Sequence, residues 1–332
     1  MALDGIILSR AKQIIAERRQ KAENELLRKT AAIYAEIPQI KTIDDDIRST
    51  MSDTFSAVLN KSQDTEKIVS ALAQKNLDLQ DARRKALSAA GYPEDYLDFR
   101  YFCPKCEDSG YVGTKPCSCL MDEYSKEQNR EITSLMHLTN ESFDTFNLNY
   151  YKNEYDEKLK INPRKHMSAV FDACRKYAES FGDGYKNLFL TGPTGVGKTF
   201  LSACIARTVA ARRIYSVVYR TAGEVFADYE TARFNHGDER ENAIAELNRY
   251  RNCDLLILDD LGTELTTAMT VASLYDLING RLLNGKKTVI SSNLSLENIA
   301  QRYSPQISSR LSGDYQVLPF CGEDIRLLKK RF

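Results

Sequence analysis

Three groups of residues in this chain have the types and spacing that chemistry requires. The first is Asn187-Leu-Phe-Leu-Thr-Gly-Pro-Thr-Gly-Val-Gly-Lys-Thr199, in which a short apolar strand runs into the spacing G-x-x-x-x-G-K-[ST]. Gly192, Pro193, Thr194, Gly195, Val196 and Gly197 form a loop whose backbone N–H groups can curl round a phosphate. Lys198, Thr199 and Phe200 then open a helix whose positive end faces the same oxygens. Lys198 would span the β- and γ-phosphates of ATP, and Thr199 would hold Mg²⁺. A glycine turn without a ligand is the bland alternative, and the flanking strand and helix patterns count against it.

The second group is Asp254-Leu-Leu-Ile-Leu-Asp259-Asp260, four apolar residues that deliver two carboxylates to the C-terminal end of a strand, where open α/β sheets bind ligands. Asp259 suits the Mg²⁺ shell and Asp260 the attacking water, with Glu264 as a second candidate base. Ser291-Ser292-Asn293 ends a further strand, so Asn293 either lies beside the γ-phosphate or caps the helix that starts near Ser295. The third group is Cys103-Pro-Lys-Cys106 followed by Cys117-Ser-Cys119. Two close thiolate pairs on tight turns can close a tetrahedral, structural Zn²⁺ site. The second pair, C-x-C, is tighter than the usual C-x₂-C.

Around these groups the pattern is α/β. Strands at Leu188–Thr191, Tyr215–Arg220, Asp254–Asp259 and Thr288–Ser292 alternate with helical stretches at Phe200–Arg213, Ala222–Tyr250 and Ala268–Leu283. Upstream, apolar residues at helical spacing predict a helix over Ile6–Ile37 ended by Pro38, a second opening at Thr42 with the stripe Ile43, Ile47, Met51, Phe55 and Val58, and a third over Asp64–Ala90 closed by Gly91. The organisation read from this is a helical region at 1–98, a zinc knuckle at 99–122, a tyrosine-rich connector at 123–183 that packs on the nucleotide domain, and the ATP-binding domain at 184–332. On pattern alone, the helices serve equally as a supporting bundle or as a partner-docking module.

Lys+Arg 46 and Asp+Glu 46 cancel, so no global field points to nucleic acid or an anionic membrane, and any such contact must be local. The apolar stretch Gly5-Ile-Ile-Leu8 is too short for a signal segment, which predicts a cytoplasmic protein. Cys174, Cys204, Cys253 and Cys321 read as buried reduced thiols, and His137, His166 and His236 are too scattered to form a catalytic triad. The helical stretch Phe226-Ala-Asp-Tyr229-Glu-Thr-Ala-Arg233-Phe234 offers aromatics and a cation for single-stranded DNA, although core packing explains Phe226 equally well.

With Lys198, Asp259 and Asn293 in place, Tyr303-Ser-Pro-Gln-Ile-Ser-Ser-Arg310-Leu resembles the AAA+ ATPases. Thr221-Ala-Gly-Glu224, Leu258-Asp-Asp-Leu-Gly262, Ser292-Asn-Leu294 and Gly322-Glu-Asp-Ile-Arg326 resemble more narrowly the DnaC/DnaI-type helicase loaders and the related IstB transposition ATPases. The resemblance covers about residues 140 to 332, and the helices with the cysteine cluster are similar to the N-terminal half of Gram-positive loaders. It implies a RecA-like core sheet with no large C-terminal lid, Asp259 and Asp260 as the Walker B pair, Asn293 as sensor 1, Arg310 as an arginine finger and Arg326 as a sensor-2-like residue. It further implies a replicative DNA helicase and single-stranded DNA as partners and a homo-oligomer formed through the AAA+ interface. The rival readings are an IstB-like transposition helper and an ATP-switched DNA-binding adaptor with negligible turnover.

Overall fold

Helix α1, Gly5–Glu36, is followed after a single residue by α2, Pro38–Asn60. Pro38 therefore opens the second helix instead of only closing the first, and the predicted start at Thr42 is four residues late. The first helical position needs no N–H donor, so the proline ring fits there, and the Ile37 N–H still bonds Ile33 O at 2.7 Å. This computed structural model describes residues 3–60, 65–136, 141–182, 184 and 186–329. The predicted helix start at Asp64, and His137, lie outside the described residues.

The chain divides into two units, Lys12–Cys119 and Leu120–Phe332 together with Met1–Ala11. In the first, α3, Thr65–Ala89, pairs with α2. Ile33, Ile40, Leu87 and Leu97 form a small core with Tyr34, Ile37, Tyr92 and Tyr96. Gly91, at φ 85, closes α3: its own N–H reaches Ser88 O and the Tyr92 N–H reaches Leu87 O, the paired bonds of a left-handed helix end. Asp44, displaced into the interior of α2 by the early start, accepts from Tyr34 Oη at 2.8 Å and pairs with Arg83 at 2.9 Å. The apolar stripe is only half used. Ile43 is buried, whereas Met51, Phe55, Val58 and Leu59 are exposed, Phe55 by 68%.

The cysteine segment is built on a two-residue hairpin, β1 Tyr111–Val112 antiparallel to β2 Lys115–Pro116. Asp108 accepts from the backbone N–H groups of Phe102 and Cys103, both at 2.8 Å, and so fixes the turn that carries the first cysteine pair. Helix α4, Ser118–Met136, follows.

The second unit continues with α5 (Pro163–Glu179), β3 (Asn187–Thr191), α6 (Lys198–Ala211), β4 (Val217–Thr221), α7 (Ala222–Phe234), α8 (Gly237–Asn252) and β5 (Leu255–Leu261). It ends with α9 (Ala268–Leu283), β6 (Lys287–Ser292), α10 (Leu296–Arg302), α11 (Pro305–Asp314), β7 (Tyr315–Pro319) and α12 (Ile325–Lys329). The strands form one parallel sheet in the order β4-β5-β6-β3-β7. The helical stretch predicted as continuous over Ala222–Tyr250 breaks at Asn235 and His236, where Gly237 takes φ 62. β3, the strand that leads to the phosphate loop, is buried from Asn187 to Leu190. Beta-strand burial on both faces calls for a near-continuous apolar run, which Leu188-Phe-Leu190 supplies.

A buried ionic cluster joins four parts of this unit. Arg249 donates to Asp4 at 2.6 Å, to Glu131 at 3.0 Å and to Glu246 at 2.8 Å, while Arg220 donates to Glu131 at 2.7 Å. Asp4 also accepts the Ile6 and Ile7 N–H groups of the first turn of α1. Burial pushes the Glu131 carboxyl up, but Arg249 and Arg220 outweigh it and hold the group below its ordinary value. A lowered folded-state carboxyl contributes stability above the unfolded pKa and loses it as pH falls through the folded value. Replacing Arg249 by Ala should therefore cost about 3 to 5 kcal/mol, the usual penalty for stranding buried charges. Chemical denaturation read by circular dichroism checks this, and the deficit should shrink as acid protonates Glu131.

Candidate nucleotide site and cysteine cluster

The loop after β3 has no room for side chains at two of its glycines. A Cβ on Gly192 would lie 2.3 Å from Phe320 O, and one on Gly195 would lie 2.0 Å from Asp324 Oδ1. Both take positive φ, 146 and 80. The segment after β7 is thus pressed against the loop, and the Ile325 N–H bonds Gly195 O at 3.0 Å. Tyr151, fully buried, donates its hydroxyl to Val196 O at 2.9 Å.

Lys198 is 6% exposed, and its Nζ donates to Gly192 O at 2.8 Å and Pro193 O at 2.7 Å. Burial lowers its pKa, against the pull of Asp260 and Asp259. Asp259 is 2% exposed and accepts from Tyr219 Oη at 2.5 Å and from Ser291 Oγ. Asp260 takes φ 55, and its N–H donates to Ser291 Oγ at 3.0 Å. Although Asp260 as a residue is exposed, partial burial of its carboxyl and then the Asp259 charge push its pKa up. A group raised in this way is better matched to a proton-accepting task near neutrality than an ordinary carboxylate.

Lys198, Asp260, Asn293 and Arg326 line one cavity of about 270 Å³, with Thr199 and Phe200. Ser295, not Asn293, caps α10 by accepting the Asn298 N–H at 3.2 Å, so Asn293 has no capping duty. Glu264 is tied up: Oε2 accepts the Gly262 N–H at 3.0 Å and Oε1 accepts the Tyr303 hydroxyl. Arg310, on α11, is 46% exposed and lies 3.7 Å from Asp314; it is not among the residues lining the cavity. The connector supplies lining that the sequence pattern did not reveal, with Phe146, Asn147 and Tyr150 in the cavity wall together with Ile325.

The proposed DNA stretch divides. Phe226 is buried and Tyr229 packs against the core with the Arg251 guanidinium over its ring, so neither faces outward as an aromatic for bases. Arg233 and Phe234 are exposed and stack on each other with 5.7 Å between guanidinium and ring. The helix turns one face of 226 to 234 to the core, which a local motif cannot express.

In the other unit, Cys103, Cys106, Cys117 and Cys119 bring their sulfurs within 4.8 Å of one another. Cys103 and Cys117 approach to 3.8 Å, and Cys106 and Cys119 to 3.4 Å. A backbone hydrogen bond from Cys119 brings the Cys117 thiol down to about 7. Four thiols at this spacing fit a tetrahedral zinc.

Residues 170–331 match the family described as IstB-like ATP binding protein. This segment is an IstB-like ATP-binding domain. Its phosphate loop and parallel sheet are those of a P-loop ATPase fold. The chain is 24% identical over 261 residues to phage-like element PBSX protein XkdC of Bacillus subtilis, covering 73% of this chain and 90% of that protein. It is 33% identical over 155 residues to the putative insertion sequence ATP-binding protein y4pL of Sinorhizobium fredii, covering 45% and 60%. It is 22% identical over 155 residues to the replicative helicase loader DnaC of Escherichia coli, covering 47% and 61%. The chain thus spans about 60% of the length of the last two. Among the described residues no helix is long and apolar enough to cross a membrane.

Two outcomes follow from the geometry. In the IstB-like domain Asp260→Asn should slow ATP turnover on the order of 10²-fold with nucleotide affinity retained, as loss of a general base does. Glu264→Gln, whose partners are Gly262 and Tyr303, should slow turnover far less; steady-state phosphate release compares the two. For the cysteine cluster, metal analysis of protein purified without chelator should give about one zinc per chain, and Cys106→Ser should lose it.

Proposed function

We propose that this chain is an ATP-dependent loader of a replicative DNA helicase, with the helices and cysteine cluster of the N-terminal unit holding the helicase and the IstB-like domain acting as an ATP-controlled, DNA-gripping assembly switch. The observation that carries the reading is the pairing of a DnaC-related ATPase domain with a separate unit that displays unpartnered apolar side chains on α2 and a four-cysteine site. The exposed face of Met51, Phe55, Val58 and Leu59 suits a partner helix better than solvent.

In this mechanism the loop amides from Gly192 to Gly197 cradle the phosphates and Lys198 exchanges its loop carbonyls for phosphate oxygens. Magnesium, when bound, would neutralise phosphate charge, and Thr199 and Asp259 would hold it. The donor set fits in kind: Thr199 lines the cavity, and Asp259, which does not itself line it, is a buried carboxylate next in sequence to Asp260, which does. Asp260 orients the attacking water and accepts its proton, Asn293 fixes that water or the γ-phosphate, and Arg326 adds positive charge from the same chain. Arg310, outside its own cavity and accessible on α11, completes the site of a neighbouring copy. Arg233 and Phe234 offer single-stranded DNA a cation and a stacking face.

A transposition helper is the second reading, and the 33% identity to the insertion sequence ATP-binding protein favours it. Capture decides between the two: full-length protein should retain a hexameric replicative helicase and Cys106→Ser should not, whereas retention of a transposase in place of the helicase supports the second reading. The action of Arg310 in trans has its own test. Arg310→Ala should bind ATP yet hydrolyse it about 10³-fold more slowly, as loss of an arginine finger does. Mixing it with Lys198→Ala should restore measurable phosphate release, and no restoration in a mixture that co-assembles assigns Arg310 to its own chain or to no catalytic role.

A further inference from the structure

Asp259 is the acid of the site that solvent scarcely reaches, and hydroxyls already address both its oxygens. Tyr219, on β4, is 3% exposed and donates to Oδ2 at 2.5 Å. Ser291, on β6, is fully buried and donates to Oδ1. A hydroxyl has one proton to give and two lone pairs to offer. Ser291 uses both capacities, since the same Oγ accepts the Asp260 N–H at 3.0 Å.

The sheet explains why such fixing is needed. β5 and β6 keep register from Leu255 to Leu258, and the pairing then shifts before resuming at Leu261 opposite Ser292. Asp259 and Asp260 occupy the irregular stretch, where the ladder to β6 lapses although Asp259 still pairs with Thr221 of β4, and Asp260 is in the left-handed region. Ser291 replaces the missing ladder bond. Tyr219, paired with Ile257, reaches along the strand to the carboxylate two residues further on.

We propose that Tyr219 and Ser291 are positioning residues for the acidic pair: Tyr219 orients the Asp259 carboxylate for the metal, and Ser291 sets Asp259 and Asp260 relative to each other across the break in the strand ladder. The proposal rests on the reading of Asp259 as a magnesium ligand. Hydrogen bonds from outer partners keep a ligating carboxylate aimed, and removing such partners typically weakens metal affinity 10- to 100-fold.

The test is the magnesium dependence of nucleotide binding in the full chain, read with a fluorescent ADP at increasing Mg²⁺ and in EDTA, beside a melting curve. Tyr219→Phe removes only the hydroxyl and should raise the Mg²⁺ concentration for half-maximal affinity about tenfold while leaving affinity in EDTA within about twofold. Ser291→Ala should shift the Mg²⁺ dependence likewise and also slow phosphate release, and Ser291→Thr, which keeps the hydroxyl, should recover both. If Tyr219→Phe does not fold, the Ser291 pair alone decides. Unchanged or tighter Mg²⁺ dependence in the variants overturns the proposal, as does a fall in affinity that is equal with and without Mg²⁺, or a lowered melting temperature with wild-type Mg²⁺ dependence. A wild-type chain whose ADP affinity ignores Mg²⁺ overturns the metal-ligand reading itself.

Discussion

The nucleotide domain depends on one constraint: a buried strand must end in a loop of bare backbone that stays open towards phosphate while other segments press on it. β3 lies between β6 and β7, so the loop that follows cannot swing sideways. The exit of β7 closes on Gly192 and Gly195, and the Tyr151 hydroxyl holds Val196 O. The loop amides are therefore oriented by packing before any ligand arrives, which lowers the ordering cost of binding. The bonds from Lys198 to Gly192 O and Pro193 O serve the same end by neutralising the carbonyls that the tight turn leaves pointing inward.

How far the sequence could be read follows from the range of the forces involved. The phosphate loop, the two acids and the cysteine pairs are local spacings, and local backbone geometry alone imposes them. Four of the five strands in the second unit follow from periodicity, because burial on a parallel sheet imposes apolar runs, whereas β7, partly exposed at the sheet edge, carries no such run and was not anticipated. The early start of α2 and the break at Gly237 were missed, since each depends on how one helix end accommodates its neighbour. Tyr219, Ser291, Tyr151 and Phe146 belong to no motif. They reach the site through the third dimension, and only strand order brings β4 and β6 to either side of Asp259.

The structure also reassigns residues that looked equivalent in the sequence. Asp260 lies at the end of β5 and Glu264 just beyond it, yet Glu264 is bound to Gly262 and Tyr303 while Asp260 lines the cavity. Tyr229 and Phe234 both sit near Arg233, yet one belongs to the core and the other to the surface. In each case hydrogen-bond saturation or burial, not residue type, separates a group that can meet a ligand from one that cannot.

The contact between Asp4 and Arg249 bears on how this chain can be cut and rejoined. The first residues belong with the ATP-binding unit, although some hundred residues of a different unit intervene in sequence. The polypeptide is consequently not a string of two exchangeable cassettes. A chimera that takes its beginning from one homologue and its ATPase from another would have to carry matched residues at both ends of this ion pair, so sequence drift at position 4 is coupled to drift at position 249.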